Sequence, residues 1–144
     1  LELYASGTKE TVNKGVEYGI GIVLLSHDNY GRIQRLDLGF WVSNADDSTI
    51  EIQAARFALS SVMPQYRRWK TTLHTASSQV VMAVSGEKIA GQIATLQQWY
   101  SYYRDISIKL ETADTKYLVE AQKLAKESAI KMRNYDSKPY VYTE

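Results

Sequence analysis

Cysteine is absent from all 144 residues, which excludes disulfides, thiolate metal ligands and a thiol nucleophile together. The absence fits a reducing compartment, so an intracellular location, cytoplasmic or nuclear, is expected. No apolar run approaches the roughly 20 residues of a membrane-spanning helix, and the chain does not open on a basic and then apolar leader, so no membrane association is expected. A dominant charge is missing too. Lys and Arg number 17 against 16 Asp and Glu, a formal charge of +1, so any nucleic-acid surface must come from local clustering. Of the two histidines, His27 falls in a predicted turn and His74 in a predicted strand, and neither has metal-ligand spacing to another His or acid. Both read as surface or hydrogen-bonded side chains. Repeats and low-complexity segments are also missing.

What is present suits one globular domain. Apolar residues make up 44% and charged residues 23%, and the length is that of a single domain with a real core. The pattern assigns a domain to residues 1–133 and a loosely held tail to 134–144. Leu1 stands at the edge of a predicted strand, as in a piece cut from a longer protein.

Leu3 to Ser6 and the β-branched stretch Val16 to Leu25 predict two strands, and the polar stretch 26–31 predicts a turn. Alternation through Ile33, Leu36, Leu38, Phe40 and Val42 predicts the returning strand. Ser48, three residues before Glu51, reads as a capping box. It opens a helix with Ile52, Ala55, Leu59 and Val62 on one stripe, up to Pro64. Thr71 to Thr75 is a short strand, followed by a brief helix from Ser77 or Ser78 to Gly86. Ile89, Ile93, Leu96, Tyr100 and Tyr103 form the next helical stripe. Ile106, Ile108 and Leu110 then alternate as a strand. The closing helix starts near Lys116 and carries Leu118, Ala121, Ala125, Ser128 and Met132 on one side. The order β-β-β-α-β-α-α-β-α describes an α/β domain, a mixed sheet covered by helices.

That order resembles the ribonuclease H family over roughly residues 1–130, and short motifs fall at matching places. Tyr4-Ala5-Ser6-Gly7-Thr8 is similar to the family's Tyr-Thr-Asp-Gly-Ser, with Ser6 in the Asp position. Glu51 in Thr49-Ile50-Glu51-Ile52 is similar to the acid that opens the first helix. Thr75-Ala76-Ser77 resembles Thr-Asp-Ser with Ala76 in the Asp place, and Ala121-Gln122-Lys123-Leu124-Ala125 resembles the last helix with Gln122 for its Asp. Each match is short, and the weight lies in their order. The resemblance implies a ribonuclease H-like fold with a five-stranded mixed sheet. It also implies a site from which three of four acids are gone.

Family nucleases use two divalent cations about 4 Å apart, and magnesium needs several converging hard oxygen ligands. Ser6 offers a neutral hydroxyl, Ala76 nothing and Gln122 a neutral carbonyl, which leaves Glu51 alone against four positive charges. The histidine that relatives often carry before the last helix has no counterpart in residues 111–115. No metal pair, no cofactor and no catalysis are therefore expected. The alternative is an active metal-dependent ribonuclease H with relocated ligands, for which Glu111 and Asp114 are the nearest acids. Asp114 reads more simply as a helix cap, Glu111 as an outward strand residue, and Glu51 as half of the capping box.

Eleven tyrosines and three tryptophans invite a contact surface. Tyr100 and Tyr103 share the apolar stripe with Leu96, which leaves Trp99 and Tyr102 outward beside Arg104. Arg67, Arg68 and Lys70 form the densest basic cluster. These six are the candidate contacts to nucleic acid or to a partner. The sequence thus reads as a non-catalytic ribonuclease H-like module, structural or interacting, of a larger nucleic-acid-handling protein of retroelement or viral type. Its expected partners are a protein or neighbouring domains, with weak RNA or RNA/DNA hybrid binding.

Overall fold

Long strands form where β-branched and apolar residues alternate, and three of them organise the computed structural model, which describes residues 1–86 and 91–143. Strand β1 (Glu2–Val12) turns into β2 (Gly15–His27) through Asn13 and Lys14, both at positive φ (49° and 68°). That geometry suits the twist of a two-residue hairpin. Strand β3 (Arg32–Val42) follows a turn at 28–31. Helix α1 (Ile50–Ser60), a 3₁₀ segment (Pro64–Arg68) and β4 (Thr71–Thr75) come next. Then come α2 (Ser78–Ser85), α3 (Gln92–Ser101), β5 (Ile106–Leu110) and α4 (Lys116–Lys131). The stripe position Ile89 lies outside the described residues.

The strand order is β5-β4-β1-β2-β3, with β4 parallel to β1 and to β5 and the β1–β2 and β2–β3 pairs antiparallel. This is the expected five-strand frame. The tail departs from expectation: β6 (Tyr135–Asp136) and β7 (Tyr140–Thr143) both pair with β3, giving a seven-stranded sheet. Unpaired edge groups on β3 are the physical reason. Asn134 Oδ1 accepts from the Trp41 N–H at 2.9 Å, Ser137 exchanges bonds with Asp37, and the Tyr117 and Tyr142 hydroxyls meet at 2.8 Å.

Alternation splits the core between the two faces. Leu3, Ile20, Ile22, Leu59, Leu73 and Leu96 are buried on the side covered by α1 and α3. On the other side α4 lies over β2 and β3 at very close range. A Cβ on Gly21 would stand 1.8 Å from the Ala121 carbonyl oxygen, and one on Gly19 2.1 Å from that of Ala125. Only glycine leaves room for the helix backbone there.

Two predicted caps are corrected. Asp46, not Ser48, receives the backbone N–H groups of Ser48 and Thr49 (3.0 Å each) and the Ser48 hydroxyl (2.7 Å). With Thr49 at the N-cap, Glu51 falls too early to complete a capping box. Thr115, not Asp114, is the N-cap of α4, and Met132 leaves the helical stripe as its left-handed C-cap.

Candidate functional site

The four positions matched to the ribonuclease H acids do converge. Ser6 sits in the middle of β1 on the α4 side of the sheet, and its hydroxyl donates to Gln122 Oε1 from the second turn of α4. The β1–β4 register ends at Tyr4 opposite His74, and carried two residues further it sets Ala76 level with Ser6. Glu51, at the start of α1, accepts the Gly7 N–H on Oε1 at 2.8 Å. Burial pushes the Glu51 carboxyl above the ordinary carboxylate range, and the Gly7 hydrogen bond offsets this only in part.

The chemistry of this donor set does not fit a pair of divalent cations. Two neutral side chains already satisfy each other, Ala76 contributes no ligand, and burial raises the proton affinity of the one carboxyl. Among the described residues no group of three or more His, Asp or Glu is arranged to hold a metal ion. Glu111, expected to point outward, is turned in and paired to His74.

His74 organises a second polar cluster. The ring is buried between two carboxyls: Nδ1 meets Glu111 Oε1 and Nε2 meets Glu2 Oε2 at 2.6 Å. Tyr4 stacks on it with ring centroids 4.0 Å apart, and Tyr117 lies 5.1 Å beyond Tyr4. Burial works against ionisation of Glu111, but the bonds to His74 and Thr115 and nearby Lys109 hold it below the usual carboxylate range. Glu2, His74 and Glu111 come from β1, β4 and the end of β5. Their separation in the chain left no spacing signal, and only parallel pairing of those strands unites them.

The predicted contact residues gather at a different place, around the entry ends of β4 and β5. The Arg67 guanidinium lies 5.0 Å from the Trp99 ring centroid, its Nε donates to the Val62 carbonyl at 3.1 Å, and the Arg104 N–H donates to the Arg67 carbonyl at 3.0 Å. Tyr102 packs edge-on to Trp99 at 5.5 Å and is exposed, as are Arg68, Lys70 and Arg104. Ser6 and Ala76 lie toward the exit end of β4, so the patch and the acid-depleted centre occupy opposite ends of that strand.

This topology, with its helices on both faces, is the ribonuclease H-like fold. No protein-family profile matches the chain, and no curated protein matches it either. Solved structures do. A ribonuclease H1 designated LC11, in complex with an RNA/DNA hybrid, superposes with a TM-score of 0.69 at 14% identity, covering 89% of this chain and 95% of that one. The N-terminal ribonuclease H domain of Rv2228c from Mycobacterium tuberculosis, a maltose-binding-protein fusion, gives 0.66 at 16% identity, over 89% and 93%. A foamy viral protease-reverse transcriptase in complex with double-stranded DNA gives 0.65 at 19% identity, over 89% and 92%. At such identities the likeness speaks for the fold alone.

Proposed function

We propose that the chain is a non-catalytic ribonuclease H-like module, serving a larger nucleic-acid-handling protein through contacts with protein or RNA/DNA. The hydrogen bond between Ser6 and Gln122 is the observation that carries this reading. Where metal-dependent hydrolysis needs two carboxylates facing a cation, two neutral groups bond each other and leave no net charge to offset its dehydration. Glu51, with its proton affinity raised, serves the Gly7 backbone instead. Similarity to structures solved on an RNA/DNA hybrid and on double-stranded DNA supports the nucleic-acid setting, and the reverse-transcriptase likeness supports a retroelement or viral one.

Trp99, expected to face outward, is half-buried against the core, so in this reading the exposed Tyr102, Arg104, Arg68 and Lys70 beside it and the half-buried Arg67 serve partner contact. The decisive experiment incubates the purified chain with a labelled RNA/DNA hybrid in magnesium and in manganese. No cleavage above the metal-free control is expected, and neither metal should raise the melting temperature at millimolar concentration. Metal-dependent cleavage that disappears in Glu51→Ala would overturn the reading and favour a nuclease with relocated ligands.

A further inference from the structure

At the closed end of the β2–β3 hairpin no α-helix among the described residues covers the α1 side of the sheet. Two cavities of about 640 and 240 Å³ lie there and share Ser26 and Gln34, so they form one continuous groove. Leu24 and Leu36 continue its floor beyond those two polar residues, Met63, Tyr66 and Trp69 build one wall, and the turn after β2 closes the end. The larger cavity is within the range of small-ligand sites, roughly 300 to 1,000 Å³.

The turn is built to hold an aromatic ring in water. Asp28 Oδ1 accepts the N–H groups of Tyr30 (2.8 Å) and Arg32 (2.9 Å), and Oδ2 accepts Arg32 Nε at 2.7 Å. Gly31 takes the positive φ that closes it. The result leaves Tyr30 83% exposed, with the Arg32 guanidinium 5.6 Å from its ring centroid. Across the groove Trp69 is 47% exposed and steadied by an edge contact to Tyr66 at 4.8 Å. Tyr30 and Trp69 thus present two aromatic side chains to solvent at one cavity, where a planar ligand could stack on them.

Charge and hydrogen-bonding chemistry narrow the ligand. The only acid lining the groove among the described residues is Asp28, and both its oxygens are engaged within the turn. Arg32 lines the groove, and the exposed Arg68 and Lys70 flank Trp69 in sequence. Ser26, Asn29 and Gln34 supply neutral donors and acceptors between the rings. Aromatic planes and neutral amides fit unpaired bases, and Arg32, held to Asp28 through Nε and otherwise exposed, supplies a cation at the groove for a phosphate backbone. A Pro-rich peptide is the other occupant that an aromatic-lined groove can take, and capture of an uncharged peptide in place of an oligonucleotide distinguishes the two.

We propose that this groove binds single-stranded nucleic acid, with bases stacked on Tyr30 and Trp69 and phosphates held by Arg32, Arg68 and Lys70. The site stands whether or not the Ser6 centre cleaves, because it lies on the sheet face opposite the Ser6 side chain and three or more strand residues away, roughly 10 Å at 3.3 Å per residue.

Fluorescence anisotropy of the full chain with a labelled oligo-U or oligo-dT of about ten nucleotides tests it, with a hybrid duplex of equal length as competitor. Saturable binding that weakens with salt and prefers the single strand is expected. Tyr30→Ala and Trp69→Ala should each weaken it roughly 5- to 100-fold, Trp69→Phe should retain most of it, and Lys70→Gln should lower the salt slope by about one. Circular dichroism confirms that each variant is folded. Absent single-strand binding, a duplex preference, or affinity lost in Tyr102→Ala but kept in Tyr30→Ala and Trp69→Ala would each overturn the assignment. So would self-association, or capture of an uncharged peptide, that those two alanines abolish while the oligonucleotides remain unbound.

Discussion

Glu51, the one acid among the four matched positions, accepts the Gly7 N–H from a largely buried site. Its carboxyl binds a proton more tightly in the folded chain than in the unfolded one, where the value is about 4.3, so its contribution to stability declines as pH rises from there through the raised folded value. Glu51→Gln keeps an oxygen for the Gly7 N–H and removes the ionisation. Thermal melts between pH 3 and 8 should show the Gln variant more stable at neutral pH, with the advantage gone below about pH 4. A less stable variant at pH 7 would mean that the ionised carboxylate is needed.

His74 carries the opposite sign through Glu111. Because the folded Glu111 carboxyl is held below its unfolded value, its contribution is present above about pH 4.3 and is lost as pH falls through the folded value. His74→Ala should lower stability at pH 7 by about 2 kcal/mol in urea titrations, since it leaves a largely buried carboxylate without its main partner. It should also blunt the loss below pH 5. An unchanged acid limb in that variant would show that the pairing does not govern it.

Among the elements, α4 is set by what β2 and β3 lack. Glycines at 19, 21 and 39 make a bare strip on which the helix backbone rests. Gly21→Ala would drive a methyl into the Ala121 carbonyl and should cost about 3 kcal/mol or more, read as a lowered urea midpoint with loss of cooperativity. A variant of near-native stability would mean that α4 can lift without cost. That same helix presents Gln122 to Ser6, so its height over the sheet also sets the geometry of the acid-depleted centre. The tail belongs to this scale too. Tyr140-Val141-Tyr142-Thr143 is too short a β-prone run to fix a strand by itself, yet the open edge of β3 pairs it as β7 and Tyr135–Asp136 as β6.

For the whole molecule, the element order and the five-strand frame were legible because strand alternation and helical stripes are local signals that burial enforces. The convergence of Ser6, Glu51, Ala76 and Gln122 was legible only through resemblance, since residues that distant share no spacing. The cap assignments failed because Ser, Thr and Asp compete for the same backbone donors, and Asp46 won at α1 through a three-residue turn.

The sequence alone determined the kinds of groups available. A chain without cysteine, with neutral residues at three of the four matched positions and a near-zero charge, sets its chemistry before folding. Tertiary structure decided the neighbours. Parallel pairing of β1, β4 and β5 put Glu2 and Glu111 on either side of His74, and a sheet face left bare beyond α1 brought Tyr30 and Trp69 to one groove. The physical reason is range: propensity and patterning act over a few residues, whereas strand register and helix placement fix which distant side chains share a solvent boundary.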